Sequence, residues 1–436
     1  MDYQTIIHTI ENKRRFGSLP GVEVSGKLLA AVGSPQKDLA FIHIAGTNGK
    51  GSTAAFLCSI LTAAGIKTGL FTSPHLIEFT ERIQVNGVQI SKEDAARLGQ
   101  MLLHQKTDAN PAMFDYCLAM ALLYFKEQHC SLVILETGLG GRLDSTNVIE
   151  SPLVSIITKI GYDHTEVLGN TLAEIAGEKA GILKAGTRAV LESQKPEALA
   201  VLEGCCKERG IPYRVIHEKE IMPTASGFSY LGEMSYQMKM TGSFQRENAL
   251  AAVFAAQELQ KLGYPVTEDA MHRGIAEAFW NGRMEILCQE PFLMIDGAHN
   301  GNGVEALANS LNEQYAGEKF HFIMGVLADK DYQAMTEYIL PLAARVTTVT
   351  PKSVRALEGE KLAAYIRGFG IEAENKDNLE EVIKTFFTDE NKENSSCKTV
   401  AFGSLYFVGD IRKFVRQNLY PKGANITQSG ACRRQE

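Results

Sequence analysis

Apolar runs of strand length alternate with amphipathic helical stretches along almost the whole chain. Leu39 to Ala45, Leu132 to Thr137, Leu153 to Ile157, Phe292 to Ile295, Phe322 to Val326 and Val400 to Phe402 read as buried strands. Most of these runs are continuously apolar rather than alternating, which predicts strands covered on both faces, as in parallel sheets. The intervening helices would supply the cover, so the fold class expected is α/β. Residues 223–242 break the pattern. They are rich in Gly, Ser, Tyr and Met at near period two, which predicts a small antiparallel excursion before a helix that starts near Phe244.

At 436 residues and 45% hydrophobic composition, the chain exceeds the size at which one core stops growing, so two or three domains are expected. Gly and Pro punctuate the segment from Trp280 to Pro291, between a helical region and a new strand. This places a boundary at about 286, with domains 1–285 and 286–436. The polar tail after Tyr420 is expected to fray.

A net charge of -7 gives no general attraction to nucleic acid or to an anionic membrane. Any anionic ligand must therefore be held by local basic and amide groups, which directs attention to a small-molecule site. No stretch approaches membrane-spanning length, and the first residues lack the apolar core of an export signal. The eight cysteines contain no CxxC pair, as expected in a reducing cytosol, and Cys205 and Cys206 read as ordinary helix residues.

The strongest local signal is FIHIAGTNGKGST, residues 41–53, where a buried strand runs into a glycine-rich turn, a lysine, hydroxyl residues and an apolar helix. Gly46, Gly49 and Gly51 let the backbone of Gly46 to Thr53, with Thr47 and Asn48 between, turn its N–H groups toward phosphate oxygens. Lys50 would reach the terminal phosphates, and Ser52 or Thr53 would offer a hydroxyl to a magnesium ion riding on them. The spacing differs from GxxxxGK[ST], since two residues separate Gly46 from Gly49 and Gly51 follows Lys50. A glycine turn with an exposed lysine is the bland alternative.

Two further clusters follow strand ends: Glu136 with GLGGRLDSTN, and KIGYDHTEVLG at 159–169. In an open parallel sheet, ligands sit beyond the carboxyl ends of strands, so Glu136, Asp163 and His164 could converge on the phosphate loop and hold a metal. A buried Glu136 would need a cation, whereas His164 could equally be a cap or a surface residue. Lys179 and Lys184 lie in the helix LAEIAGEKAGILKAG, where solvated lysines are the ordinary expectation. A lysine beside metal ions could instead take up carbon dioxide as a carbamate. In the far part of the chain, Arg283 falls in the presumed linker, placed either to neutralise a transferring phosphoryl group or to form a structural ion pair. Asp296 and His299, in MIDGAHN, serve either the crevice or turn formation and helix capping.

The order of SPQKDLAFIHIAGTNGKGST, FTSPHL, ETGLGGRLDSTN, ITKIGYDHTEVLG, IAGEKAGILK, DGAHN, GVLADKDY and FGSLYFVGDIR, over roughly residues 17–416, resembles the folylpolyglutamate synthase and dihydrofolate synthase family of the Mur ligase superfamily. The resemblance implies an amino-terminal P-loop NTPase-like three-layer domain with a small β-sheet, followed by a Rossmann-like glutamate ligase domain. It implies ATP-dependent joining of L-glutamate to a folate or dihydropteroate carboxylate through an acyl phosphate. By the same analogy Ser73 and Glu136 match ligands of one magnesium ion, His164 a ligand of a second, and Lys179 the lysine that is carbamylated. Asn248 and His299 match positions near the adenine end of ATP, and Arg283 and Asp296 positions near its phosphates or the closing interface. The family usually has proline where this chain has Asn281 and Gly301.

A cytoplasmic monomer acting on small molecules, with no nucleic-acid or membrane partner, is expected. The rivals are a P-loop switch whose hydrolysis drives motion, a non-catalytic nucleotide module, and a cell-wall Mur ligase. The last would need an additional amino-terminal domain, for which residues 1–38 are too few.

Overall fold

The computed structural model describes residues 2–13, 21–387 and 397–418; the tail expected to fray beyond Tyr420 lies outside them. The described residues form two compact units, one comprising those up to Met238 with Arg246–Ala278, the other Lys239–Gln245 with those from Phe279 onward.

The first unit is built on strands β1 (Phe41–Ala45), β2 (Thr68–Phe71), β3 (Ile83–Val85), β4 (Val88–Gln89), β5 (Leu132–Glu136), β6 (Val154–Ile157), β7 (Arg188–Leu191) and β8 (Tyr213–Val215). They form one sheet in the order β4-β3-β2-β5-β1-β6-β7-β8. All pairings are parallel except β2 with β3 and β3 with β4. β1 therefore lies between β5 and β6, and the registers Ile44 with Glu136 and Ala45 with Ile157 bring three strand ends to the same edge.

The continuous apolar runs have the predicted cause, since β1, β2, β5 and β6 are buried at every position. Phe41, Phe71, Val133 and Leu135 pack with the helices Tyr3–Glu11, Lys92–Leu103 and Met113–Glu127, and Ala45, Ile157 and Leu191 with Leu172–Lys179 and Pro196–Glu208. The intervening residues Ile42, Ile44, Leu70 and Ile134 point to the opposite face. That face receives the helix Lys50–Ala63, which is itself enclosed and packs on Glu268–Glu277. The antiparallel excursion is a three-stranded sheet of β9 (Ile221–Thr224), β10 (Gly227–Tyr230) and β11 (Met234–Gln237), in which Phe228 stacks on Tyr236.

The second unit carries β12 (Glu285–Gln289), β13 (Phe292–Ile295), β14 (Phe320–Met324), β15 (Ala343–Val349), β16 (Glu372–Lys376) and β17 (Lys398–Phe402), ordered β12-β13-β17-β14-β15-β16. Only β12 with β13 is antiparallel. All six strands expected from the apolar runs are present in the two sheets, with ends shifted by no more than two residues. Among the described residues, no helix is long and apolar enough to cross a membrane.

The helix Gly301–Gln314 begins where the Asn300 side chain accepts the Gly303 N–H at 2.8 Å, a side-chain cap on an otherwise unpaired donor. It buries Val304, Leu307, Ala308 and Leu311, the i, i+3, i+4, i+7 stripe of an amphipathic helix. Each of the larger aliphatic side chains contributes about 1.5–3 kcal/mol by leaving water.

Gly301 occupies the first helical position, where proline is favoured because that N–H has no helical partner. Asn300 is already extended (φ -143°, ψ 166°), as a following proline prefers, and a Cβ at Gly301 would meet Ala334 at an ordinary 3.5 Å. Gly301→Pro is therefore expected to stabilise the protein by about 0.4–1 kcal/mol through the unfolded chain's lost entropy. A lower urea midpoint for the variant would contradict this.

Candidate active site

In the first unit the loop after β1 is fastened from behind before it turns into its helix. Thr47 N–H and Asn48 N–H donate to the Lys159 carbonyl at 2.9 and 3.2 Å, and the Thr47 hydroxyl donates to the Gly161 carbonyl at 3.0 Å. The buried Thr158 hydroxyl donates to Asn48 O at 2.7 Å. The residues after β6 thus set the shape of the loop after β1. The amides of Thr47 and Asn48 are spent on this anchoring, which narrows the loop's anion-facing donors relative to the sequence expectation.

Gly49 caps the helix in the left-handed region (φ 91°), and any Cβ there would collide with the Asn248 carboxamide oxygen. The first intrahelical bond runs from Thr53 N to Gly49 O at 2.9 Å, so the amides of Lys50, Gly51 and Ser52 precede it and face outward from the helix start. Such a helix start favours anions. Lys50 Nζ donates to the carbonyls of Gly46 and Thr47 at 3.1 and 3.2 Å. Ser52 is buried, and the Thr53 hydroxyl lies 3.4 Å from both Glu192 and Asn248, facing the scaffold behind the loop.

Glu136, at the end of β5, is 4% exposed and accepts the Ser73 N–H at 3.1 Å. The register Phe71 with Leu135 accounts for that meeting, because Ser73 follows the end of β2. His164 has left-handed backbone (φ 51°) and caps a short helix, Thr165–Leu168. Its ring is 44% exposed, with Nε2 3.8 Å from Asp163.

Lys179 departs most from its residue type. Instead of reaching solvent it is 3% exposed and donates to the Gly46 carbonyl at 2.9 Å. Burial pushes its pKa down to about 7, helped by the nearby Lys50 cation and opposed by Asp163 and Asp144. The helix ends at Lys179, so Lys184, expected in the same helix, lies beyond it; it donates to the carbonyls of Asn147 and Ile149, and neither lysine is simply solvated.

Sequence reasoning passed over the network behind the loop. Glu192 follows β7 and accepts the Lys159 N–H at 2.8 Å, while Glu247 accepts the Ser193 N–H and lies 3.3 Å from Lys159 Nζ. Burial, then the charge of Glu247, raises the Glu192 pKa well above the usual carboxylate range. The signal for Glu192 was present in RAVLE, which ends an apolar run on a carboxylate just as LVILE does.

In the second unit, Asp296 is buried at the end of β13. It accepts the N–H groups of Met284 and Ala298, each at 2.8 Å, and burial raises its pKa against the influence of Arg283. Arg283 stands in the turn before β12, inside this unit, with Nη1 over Gly297, where any Cβ would collide with it. His299 Nδ1 is 2.8 Å from the Gly297 carbonyl.

The sequence matches the Mur ligase middle domain over residues 44–256 and the Mur ligase glutamate ligase domain over 282–397. The dihydrofolate synthase/folylpolyglutamate synthase of Bacillus subtilis is 38% identical over 432 residues, covering 94% of this chain and 98% of that one. This chain belongs to the folylpolyglutamate synthase and dihydrofolate synthase family. Solved structures agree. The E. coli FolC complex with DHPP and ADP superposes with a TM-score of 0.84 at 26% identity, covering 96% of this chain and 99% of that one. The Mycobacterium tuberculosis folylpolyglutamate synthase complexed with ADP and AMPPCP gives 0.84 at 28%, covering 94% and 98%. Membership of the folylpolyglutamate synthase and dihydrofolate synthase family makes the chain an ATP-dependent ligase.

Proposed function

We propose that the chain joins the amino group of L-glutamate to the carboxylate of a folate or of dihydropteroate, using ATP to form an acyl phosphate. The observation that carries this reading is the shared edge of the first sheet, where Lys50 opens the helix after β1, the buried Lys179 donates to Gly46 in the same loop, and Glu136 with Ser73 stands at the end of the neighbouring β5. The Bacillus subtilis relative is named for both activities, which supports both acceptors.

The chemistry must bring two anions together. The acceptor carboxylate oxygen attacks the γ-phosphorus and ADP leaves; the glutamate amine then attacks the acyl carbon, and phosphate leaves a tetrahedral intermediate. Lys50 and the amides of Lys50, Gly51 and Ser52 offset the repulsion between carboxylate and phosphates. The loop from Gly46 to Thr53 cradles the phosphates through the amides of Lys50, Gly51 and Ser52, with Thr47, Asn48 and Thr53 holding its shape; Asn248 and His299 serve the adenine end, and Arg283 and Asp296 the phosphate end. We take it to act in the cytosol as a monomer; the lack of a CxxC pair accords with a reducing compartment.

The donor set fits magnesium of a particular kind. Among the described residues no group of three or more His, Cys, Asp and Glu side chains could hold a metal. One buried carboxylate and two hydroxyls suit a hard ion that keeps its waters and phosphate oxygens. Ser52, Ser73 and Glu136 would hold one ion, and His164 with a carbamate on Lys179 a second. When bound, magnesium screens the phosphate charge and polarises the γ-phosphoryl group.

The test is ATP-dependent incorporation of labelled glutamate, run separately with dihydropteroate and with a reduced folate monoglutamate. Product with either acceptor, absent without ATP, is expected. ATP turnover indifferent to both acceptors would identify a P-loop switch instead.

A further inference from the structure

The last motif of the sequence, FGSLYFVGDIR, has no part in the reaction as described, yet it ends on the largest fully buried side chain of the described residues, Arg412. An arginine that is 2% exposed loses its hydration and survives only if its donors are matched. Its Nε lies 2.9 Å from each oxygen of Glu285, and its Nη2 donates to the Asn281 side-chain oxygen. Glu285 also accepts the Gly282 N–H at 2.8 Å.

The remaining positions of this turn are held from the other side. Gly297 N–H donates to the Gly282 carbonyl, and Met284, strained into the left-handed region (φ 44°), donates its N–H to Asp296. Every neighbour of Arg283 in the turn is therefore fixed, while the guanidinium of Arg283 itself lies over the bare backbone of Gly297. A conformation that fixes four residues around a fifth, and pays for a buried ion pair to do so, is preorganisation of that fifth residue.

We propose that Arg412 is a positioning residue for Arg283, acting through Glu285 and Asn281. This rests on the reading of Arg283 as a contact of the nucleotide's phosphates. Asn281 is this chain's own contribution, since the family resemblance places proline there and proline has no side-chain oxygen to offer the guanidinium. Lysine would keep the charge of Arg412 but lacks the planar fork that reaches Glu285 and Asn281 together.

The experiment is a double-mutant cycle on glutamate ligation with Arg283→Ala, Arg412→Lys and the pair. Arg283→Ala alone is expected to lower kcat about 100-fold and Arg412→Lys about 10-fold, the latter with little change in KM for ATP. The double variant should be no worse than Arg283→Ala, because a residue that acts through Arg283 has nothing left to position. A structural role predicts the opposite, a further tenfold loss in the double variant, and that result overturns the inference. Wild-type kcat for Arg283→Ala would remove the reading of Arg283 and the inference with it. Should Arg412→Lys not fold, Asn281→Ala leaves the Arg412–Glu285 pair in place and decides the same cycle.

Discussion

Lys50→Ala is expected to lower kcat for glutamate ligation by about 10²–10³-fold while leaving the protein folded. The two effects separate because the lysine's structural and chemical contributions differ in size. Structurally it supplies two hydrogen bonds, to the carbonyls of Gly46 and Thr47, at a half-buried position where water can replace them. Each contributes on the order of 0.5–1.5 kcal/mol, so a modest fall in melting temperature is expected. The loop keeps its anchors without Lys50, because Thr47, Asn48 and Thr158 hold it to the residues after β6. Chemically, the cation is a preplaced charge beside a reaction between two anions, and its loss is felt in the transition state, where negative charge is most concentrated. ADP release in the presence of folate and glutamate, measured beside thermal unfolding, checks both halves. Near-wild-type turnover would take Lys50 out of the mechanism.

The contrast between Lys50 and Lys179 shows what a linear sequence does and does not disclose. Lys50 was legible because everything that defines it is local: an apolar strand, glycines that permit the turn, and a helix that follows at once. The six long apolar runs were legible for the same reason, since burial on both faces of a parallel sheet leaves an uninterrupted signature. The strands β2, β7, β8, β15 and β16 fall outside those runs because polar residues or glycine break each of them: Thr68 and Gly69 in β2, Arg188 in β7, Arg214 in β8, Arg345 in β15 and Glu374 in β16. From its own neighbourhood Lys179 reads as one more helix lysine and only the family resemblance singles it out, because nothing near it in the chain encodes its contact with Gly46, 133 residues away.

The same applies to Thr158, Glu192, Glu247 and Arg412, whose partners are strand ends and turns brought together only by sheet order. Glu192 came nearest to being found, since its strand carries the same terminal carboxylate as β5. Arg412 could be placed in a motif but not in a role, because its partners Glu285 and Asn281 lie more than a hundred residues earlier.

Ligation in carbon dioxide-free buffer is expected to fall at least about tenfold and to recover on adding bicarbonate, and Lys179→Met should lose about 10²–10³-fold with no recovery. An ordinary lysine at pH 7.5 is neutral in only about one molecule in a thousand, whereas one with a pKa near 7 is neutral in roughly three-quarters. Only the neutral amine attacks carbon dioxide. The N–C bond forms, one proton is released, and the product is an anion. At Lys179 that conversion would leave an anion attracted to Lys50 and would supply an oxygen donor for magnesium.

Because a proton is released, carbamylation at fixed carbon dioxide strengthens as pH rises through about 7, and the bicarbonate-dependent activity should rise with it. The unmodified amine has a second signature. Between about 7 and 10.5 the unfolded chain holds a proton at this site that the folded chain does not, so without carbon dioxide this group makes stability increase with pH across that window. Lys179→Met should flatten that part of the curve. Incorporation of ¹³C-labelled bicarbonate, seen as a carbamate resonance in wild type and absent from the variant, ties the two effects to one nitrogen. Full turnover without carbon dioxide, with no such resonance, would leave Lys179 as a buried amine whose function is to hold the Gly46 carbonyl.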